Sequence, residues 1–261
     1  VNMIDPFHLE AYGKTTVNYN RDVEIFPVVN AIFEKIYGTS PYKSPTDMGV
    51  NMAGFAITDD EACCEASKQE IIRRYYEARA AVRQGLSEGD DVTKLELLMK
   101  KSGIDISDRR VIGAALVRAE STGGPAVALE LPDGQIVTGK TTDLLGPASA
   151  ALLNALKTLA GISHSIPLIS PNVIEPISDL KVNHMGNHNP RLHTDEVLIA
   201  LAISATTNPV AELAMQQIGK LEHSDLHSTT MLSSVDLNML HKLGVEVTCE
   251  PVYQTKKLYH K

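Results

Sequence analysis

Cysteine is scarce in this sequence. Three occur in 261 residues, two adjacent at Cys63 and Cys64 and the third at Cys249, so there is no Cys-x-x-Cys pair and no disulfide framework. That scarcity suits a reducing compartment, and the expected location is the cytoplasm. No stretch approaches the ~20 apolar residues a membrane span needs, and no basic segment followed by an apolar one opens the chain. Long basic runs are missing too. With a formal net charge of -8 and a pI near 5.6, nucleic acid and anionic membrane are excluded as main partners. The short tail Lys256, Lys257, His260 and Lys261 reads as a solvated end. A starting Met is also lacking, since the chain begins at Val1; processing of the N-terminus and a missing upstream portion are both open readings. What remains, 43% hydrophobic and 21% charged residues, is the composition of a globular protein with one large domain or two smaller ones.

Residues 1–106 read as a helical and irregular module. A helix is predicted from Pro27 to Tyr37, closed by Gly38. Ser40 to Phe55 holds two prolines and two glycines with no helical or strand period, which predicts a structured loop. Its Met48, Val50, Met52 and Phe55 would pack inward while Lys43, Ser44, Asp47 and Asn51 face a ligand; a packed connector is the alternative. Thr58-x-x-Glu61 is a capping box opening a long helix, whose Arg73, Arg74, Arg79 and Arg83 read as a solvated basic face. Asp91 to Ser102 is a shorter helix, ended by Gly103.

Residues 107–261 alternate helix and strand. Ser107–Thr122 is helical, Pro125–Leu131 alternates as a strand, and the Asp133-Gly134 turn returns Gln135–Gly139 as a second strand. Pro147–Ala160 is an apolar-striped helix, Ile166–Ile169 a third strand, and a Pro-rich bridge leads on. Helices follow at Asp195–Thr206 and Pro209–Ile218, capped by Thr194 and Asn208. Ser228–Leu232 is extended, Ser233-x-x-Asp236 caps a helix ending at Gly244, and Val245–Cys249 is the closing strand. The fold class is mixed α/β. Its element order resembles the cytidine-deaminase-like three-layer α/β/α fold with a mixed sheet, which is analogy and not function. That resemblance implies a site at Lys140–Ala148 and His188–Glu196. The zinc motifs of such deaminases are absent: the one H-x-E is His8-Leu9-Glu10 and there is no P-C-x-x-C.

Three constellations carry candidate chemistry. Gly134 to Thr141 spells G-x-x-x-x-G-K-[ST], yet Pro132-Asp133-Gly134 is a turn signal, Ile136-Val137-Thr138 is β-branched, and Gly146-Pro147 delays the helix. A backbone phosphate cradle is therefore not expected, and Lys140 is left as a point charge at a strand end. His184, His188 and His193 lie within ten residues. Gly186 and Pro190 prevent one helix from aligning the first two, and no H-E-x-x-H exists. Metal binding, anion binding through Arg191 and a helix N-terminus, and a purely hydrogen-bonded loop are the three readings. Glu222 to Ser228 contains the letters of a Ser/His/Asp triad, but local crowding does not make one; a surface loop is expected.

The segments Asn2-Met-Ile-Asp-Pro-Phe-His-Leu-Glu10, Asn18-Tyr-Asn-Arg-Asp22, Ser44-Pro-Thr-Asp-Met-Gly-Val-Asn-Met52, Ala66-Ser-Lys-Gln-Glu-Ile-Ile-Arg-Arg-Tyr75, Leu131 to Lys140 and Asn189-Pro-Arg-Leu-His193 together resemble the bacterial domain-of-unknown-function 1846 family, also called uncharacterised protein family 0371. The resemblance runs along essentially the entire chain. It implies the C-terminal half of a protein about twice as long, whose missing N-terminal half looks like a nucleotide-binding-type α/β domain and is an expected partner. No established reaction comes with it, so no catalytic role is inherited. Two function classes follow. One is the substrate-binding part of an enzyme acting on a nucleotide-like or phosphorylated small molecule, with Lys140 and Arg191 neutralising charge, Thr141 and Asn189 orienting the ligand, and His188 or His193 as general acid/base. The other is a non-catalytic assembly or regulatory module, including a homo-oligomer; a His-based metal-dependent hydrolase is a further alternative. No metal ligand set or cofactor is assigned.

Overall fold

The structure, a computed structural model, describes residues 19–43, 48 and 60–254. The chain divides into two compact units, Val1–Arg109 and Arg110–Lys261.

The first unit contains α1 (Tyr19–Tyr37), α2 (Asp60–Gln84), α3 (Asp90–Ser102) and a 3-10 turn at Ile106–Asp108. Helix α1 begins eight residues before the predicted Pro27, at Tyr19: a proline forfeits one helical hydrogen bond but its φ is helical, so the chain can run through it. Phe26, Ile71, Ile72, Tyr76, Leu98 and Met99 are buried. The arginines of α2 are not the free basic face their sequence suggests. Arg73 is buried, and Glu70 pairs with both Arg73 (2.7 Å) and Arg74 (2.6 Å). Arg79 stacks over the rings of Tyr75 and Tyr76. Helical spacing of three and four residues brings each set of partners together, Glu70 with Arg73 and Arg74 and, on the other side of the helix, Arg79 with Tyr75 and Tyr76. Charge neutralisation and ring packing thus replace solvation. A groove of about 800 Å³ is lined by Pro27, Leu95, Leu98, Arg74 and Lys101 among others, none of them a predicted site residue. Met48 is buried; Ser44, Asp47, Asn51 and the Thr58 cap lie outside the described residues.

The second unit is a four-stranded mixed sheet with helices around it. Helix α4 (Arg110–Thr122) precedes β1 (Ala126–Glu130) and β2 (Ile136–Lys140); then come α5 (Pro147–Leu159), α6 (Pro171–Asp179), α7 (Thr194–Ala205), α8 (Pro209–Met215), β3 (Asp225–Ser228), α9 (Ser234–Lys242) and β4 (Glu246–Cys249). The order is β2-β1-β3-β4, with β1 antiparallel to β2 and β3, and β3 parallel to β4. Period-two alternation sends Val127 and Leu129 of β1 into the main core with Val137, Leu152, Leu156, Val197 and Leu201, while Ala128 meets Val111 and Ala115 of α4. Burying each such Leu or Val contributes about 1.5–3 kcal/mol.

Where the sequence predicts five strands, four exist among the described residues. Ile166–Ile169 is not a strand: Pro167 has no N–H for a ladder, and Ile166 N–H closes a turn on Ser163. Leu168 and Ile169 are buried without pairing. The Pro-rich bridge contains α6, started by Ser170 as N-cap with Pro171 at the first position and followed by a π turn at Leu180–His184. The expected extended segment Ser228–Leu232 is displaced to Asp225–Ser228, so Glu222–Ser228 is not a surface loop; His227 and Ser228 are fully buried in the strand between β1 and β4.

The G-x-x-x-x-G-K-T match is resolved by this sheet. Gly134 sits in the hairpin turn at φ 82°, its N–H donating to Leu131 O at 2.8 Å, and the following residues are β2. Gly139 lies where α5 crosses the strand, and a Cβ there would stand 2.2 Å from Ala151 N and 2.5 Å from Pro147 O. The second glycine of the pattern serves strand–helix contact.

Candidate functional site

Because β1 opposes its two neighbours and β3 parallels β4, strands β2, β3 and β4 point the same way and their carboxyl ends share one end of the sheet. In open α/β sheets that is where ligands bind. The chain leaves β2 through residues 141–146 into α5 and leaves β3 through 229–233 into α9.

The segment 187–193 is tied to the exit from β2. Leu145 and Leu192 form a parallel bridge, Leu192 N–H donates to Leu144 O at 3.0 Å, Ser149 Oγ donates to Leu192 O at 2.9 Å, and Arg191 Nε donates to Thr142 O at 2.7 Å. Lys140–Ala148 and His188–Glu196 thus adjoin. Within them the candidates separate. Lys140 and His188 are exposed. Thr141 is bound to Pro125 O through its N–H (3.1 Å) and hydroxyl (3.2 Å), a structural use of the side chain. Asn189 Oδ1 accepts from Arg191 N–H at 3.1 Å, fixing the loop. His184 ends the π turn and is exposed. Among the described residues, no group of three or more His, Cys, Asp or Glu is placed to hold a metal ion.

His193 differs from the other two histidines of its segment. It stands immediately before α7, and its Nδ1 lies 2.9 Å from Asp236 Oδ2 in α9. Asp236 Oδ1 accepts the Thr194 N–H at 2.8 Å, and Glu196 Oε2 accepts the His193 N–H at 2.8 Å. Thr194 is therefore not the predicted cap: it is the first helical residue, its hydroxyl buried without a partner, and the helix start is capped by Asp236 from another helix. Ser233 caps α9, accepting Asp236 N–H at 3.1 Å and donating to Asp236 Oδ2 at 2.8 Å. Ser233 Oγ lies on the Nδ1 side of His193, at 3.4 Å, together with the carboxylate. A nucleophilic serine would sit at the opposite ring nitrogen from the acid, so this is an Asp–His pair with a capping serine and not a hydrolase triad.

The pair shifts both groups. The Asp236 hydrogen bond raises the His193 imidazole above its ordinary 6.5 against the opposing effect of burial, with the charges of Asp236 and Glu196 adding and Lys181 subtracting. Burial pushes Asp236 upward, but the bond and charge of His193, with Thr194 N–H and Ser233, bring it net below its ordinary 3.8. A raised histidine contributes stability that is fully present below pH 6.5 and lost as pH rises through its folded value. A lowered aspartate contributes stability present above pH 3.8 and lost as pH falls through its folded value. The melting temperature is therefore expected to gain most from the pair between those limits. Calorimetric scans from pH 3 to 9 should show a decline on the alkaline side that Asp236→Asn flattens.

The third constellation resolves differently. His227 Nδ1 is 2.9 Å from Thr248 Oγ1 and its Nε2 is 3.5 Å from Glu250 Oε1, so β4 and the residue after it meet both ring nitrogens inside the sheet.

Residues 1–103 match the family model described as "Domain of unknown function DUF1846, N-terminal" and residues 107–259 the one described as "Domain of unknown function DUF1846, C-terminal". The chain belongs to the DUF1846 family. It is 59% identical over its whole length to a UPF0371 protein of Streptococcus thermophilus (strain ATCC BAA-250 / LMG 18311) and 58% identical to one of Streptococcus pyogenes serotype M5 (strain Manfredo), covering 53% of each. The chain thus spans about half the length of the curated relatives it matches. The expectation of a C-terminal half alone is corrected by the N-terminal model, which accounts for residues 1–103. No helix among the described residues is long and apolar enough to cross a membrane.

Sequence reasoning singled out His193 but missed its partners. Asp236 was legible only as the end of a local capping box, and nothing local points 43 residues away to an imidazole. Lys181 gave no signal at all, sitting in a stretch read as a bridge.

Proposed function

We propose that this DUF1846 chain carries the acid–base centre of an enzyme acting on a nucleotide-like or phosphorylated small molecule. The observation that carries the reading is the 2.9 Å contact between His193 Nδ1 and Asp236 Oδ2 where two helices begin. An aspartate on Nδ1 fixes the neutral ring with its proton there, leaves Nε2 as the base, and stabilises the imidazolium that forms. The position, beside the exit from β2 and the starts of α5 and α7, is at the end of the sheet where β2, β3 and β4 have their carboxyl ends, the end at which open α/β sheets bind ligands. Lys140 and Arg191 supply the positive charge for a phosphate as separate side chains, Arg191 being held toward the β2 exit by Thr142 O. Asp195 and Glu196, in the first turn of α7, favour a ligand that also brings hydroxyls.

Calorimetry of the whole chain against nucleotides and sugar phosphates tests this. A binder is expected, with Lys140→Ala and Arg191→Ala each weakening it roughly tenfold, the effect of losing one charge-assisted hydrogen bond. Affinity unchanged in both variants removes them from the site.

One observation favours the non-catalytic alternative. Ile199 and Ile203 on α7 are 60% and 54% exposed, and Leu213 on α8 is 50% exposed, an apolar face of the kind that covers a partner or a second copy. A monomeric mass by light scattering that Ile203→Asp leaves unchanged counts against it.

A further inference from the structure

Lys181 is a fully buried cation, 2% exposed, on the π turn after α6. Its Nζ donates at 2.7 Å to Arg191 O and at 2.7 Å to Glu196 Oε2, and that same Glu196 oxygen accepts the His193 N–H. One ammonium therefore grips the chain on both sides of His193: the carbonyl two residues before it, and the carboxylate that holds its amide. The wider turn at Leu180–His184 carries Lys181; π turns are rare, and those that occur are frequently at functional sites. Stability alone does not call for a buried ion pair here, because an apolar side chain of similar volume serves the core as well or better. What an apolar residue cannot do is hold two oxygens at fixed positions.

We propose that Lys181 is a positioning residue that locks residues 191–193 and thereby the direction in which His193 presents its ring to Asp236. The assignment rests on the acid–base reading of His193. The charged and titratable groups facing the imidazole are Asp236 from α9, Glu196 from α7 and Lys181 from the π turn, with the Ser233 hydroxyl beside Nδ1.

The test is the tautomer of His193 in the 15N-labelled whole chain, read from the imidazole nitrogen shifts at alkaline pH. Wild type is expected to show the Nδ1–H form alone. Glu196→Gln keeps an oxygen for the His193 N–H and leaves Lys181 on Arg191 O, so it should retain that form. Lys181→Met should give a mixture of tautomers, and Lys181→Arg, which restores the donors, should return toward the single form. Lys181→Met leaves Glu196 unpaired and could fail to fold; the double variant Lys181→Met/Glu196→Gln buries no lone charge and should show the same mixture. A folded double variant with the Nδ1–H form alone overturns the assignment of Lys181. A wild-type ring already mixed overturns the acid–base reading and the Lys181 assignment with it.

Discussion

Asp236→Ala is expected to lower stability by about 3 kcal/mol, the sum expected from losing a hydrogen bond to a charged partner and a helix cap. The residue does three jobs in the folded chain: it binds His193 Nδ1, caps α7 through Thr194 N–H, and accepts the Ser233 hydroxyl. Asp236→Asn separates structure from chemistry. Its amide oxygen can still take the Thr194 N–H, so the stability loss should be smaller, about 1–2 kcal/mol. The amide nitrogen then faces Nδ1 as a donor and turns the ring's proton to Nε2. With a substrate in hand, turnover should fall ~10²–10⁴-fold, the range of general acid–base catalysis. Denaturant titration of both variants checks the first claim. An asparagine variant with full activity would remove His193 from the role of base.

Gly139→Ala is the second large effect, and its cause is steric. The added methyl would lie 2.2 Å from Ala151 N, 2.5 Å from Pro147 O and 2.7 Å from Ala151 Cα, all backbone atoms of α5 that cannot rotate aside. Strand and helix must separate, at a cost of about 3 kcal/mol or more. Gly113→Ala on α4 is the matched control: nothing lies within 4 Å of its added methyl, and exchanging a helical glycine for alanine should stabilise by about 0.5–1 kcal/mol. Equal unfolding midpoints for the two variants would contradict the close approach.

These two residues also mark how far sequence carries. The hairpin at Asp133-Gly134, the helix starts at Pro147 and Ser233, and the apolar stripe of α5 were legible because each is set by chemistry within a few residues. The Gly139-Lys140-Thr141 letters were legible as a strand end for the same reason. Failures fall where distant chain decides. Ile166–Ile169 has strand composition but Pro167 denies it a ladder; Asp225–Ser228 has turn composition but is a strand because β1 and β4 lie on either side of it. At the site, His193 and Arg191 were visible as residue types crowded in a short segment, whereas the groups that distinguish His193 from His188 come from α9 and the π turn.

The pairing of β1 with β3 joins residues far apart in the chain: Ala126 N–H is bonded to Thr229 Oγ1, 103 positions away. On a ribosome adding 5–20 residues per second, one side of β1 waits roughly 5–20 s for its neighbour. During that interval α4 and the β1–β2 hairpin can form while an apolar strand edge stays open to other nascent chains. The chain that closes the edge also carries Asp236 toward His193, so the contact between the two side chains is assembled only after that strand edge has been paired.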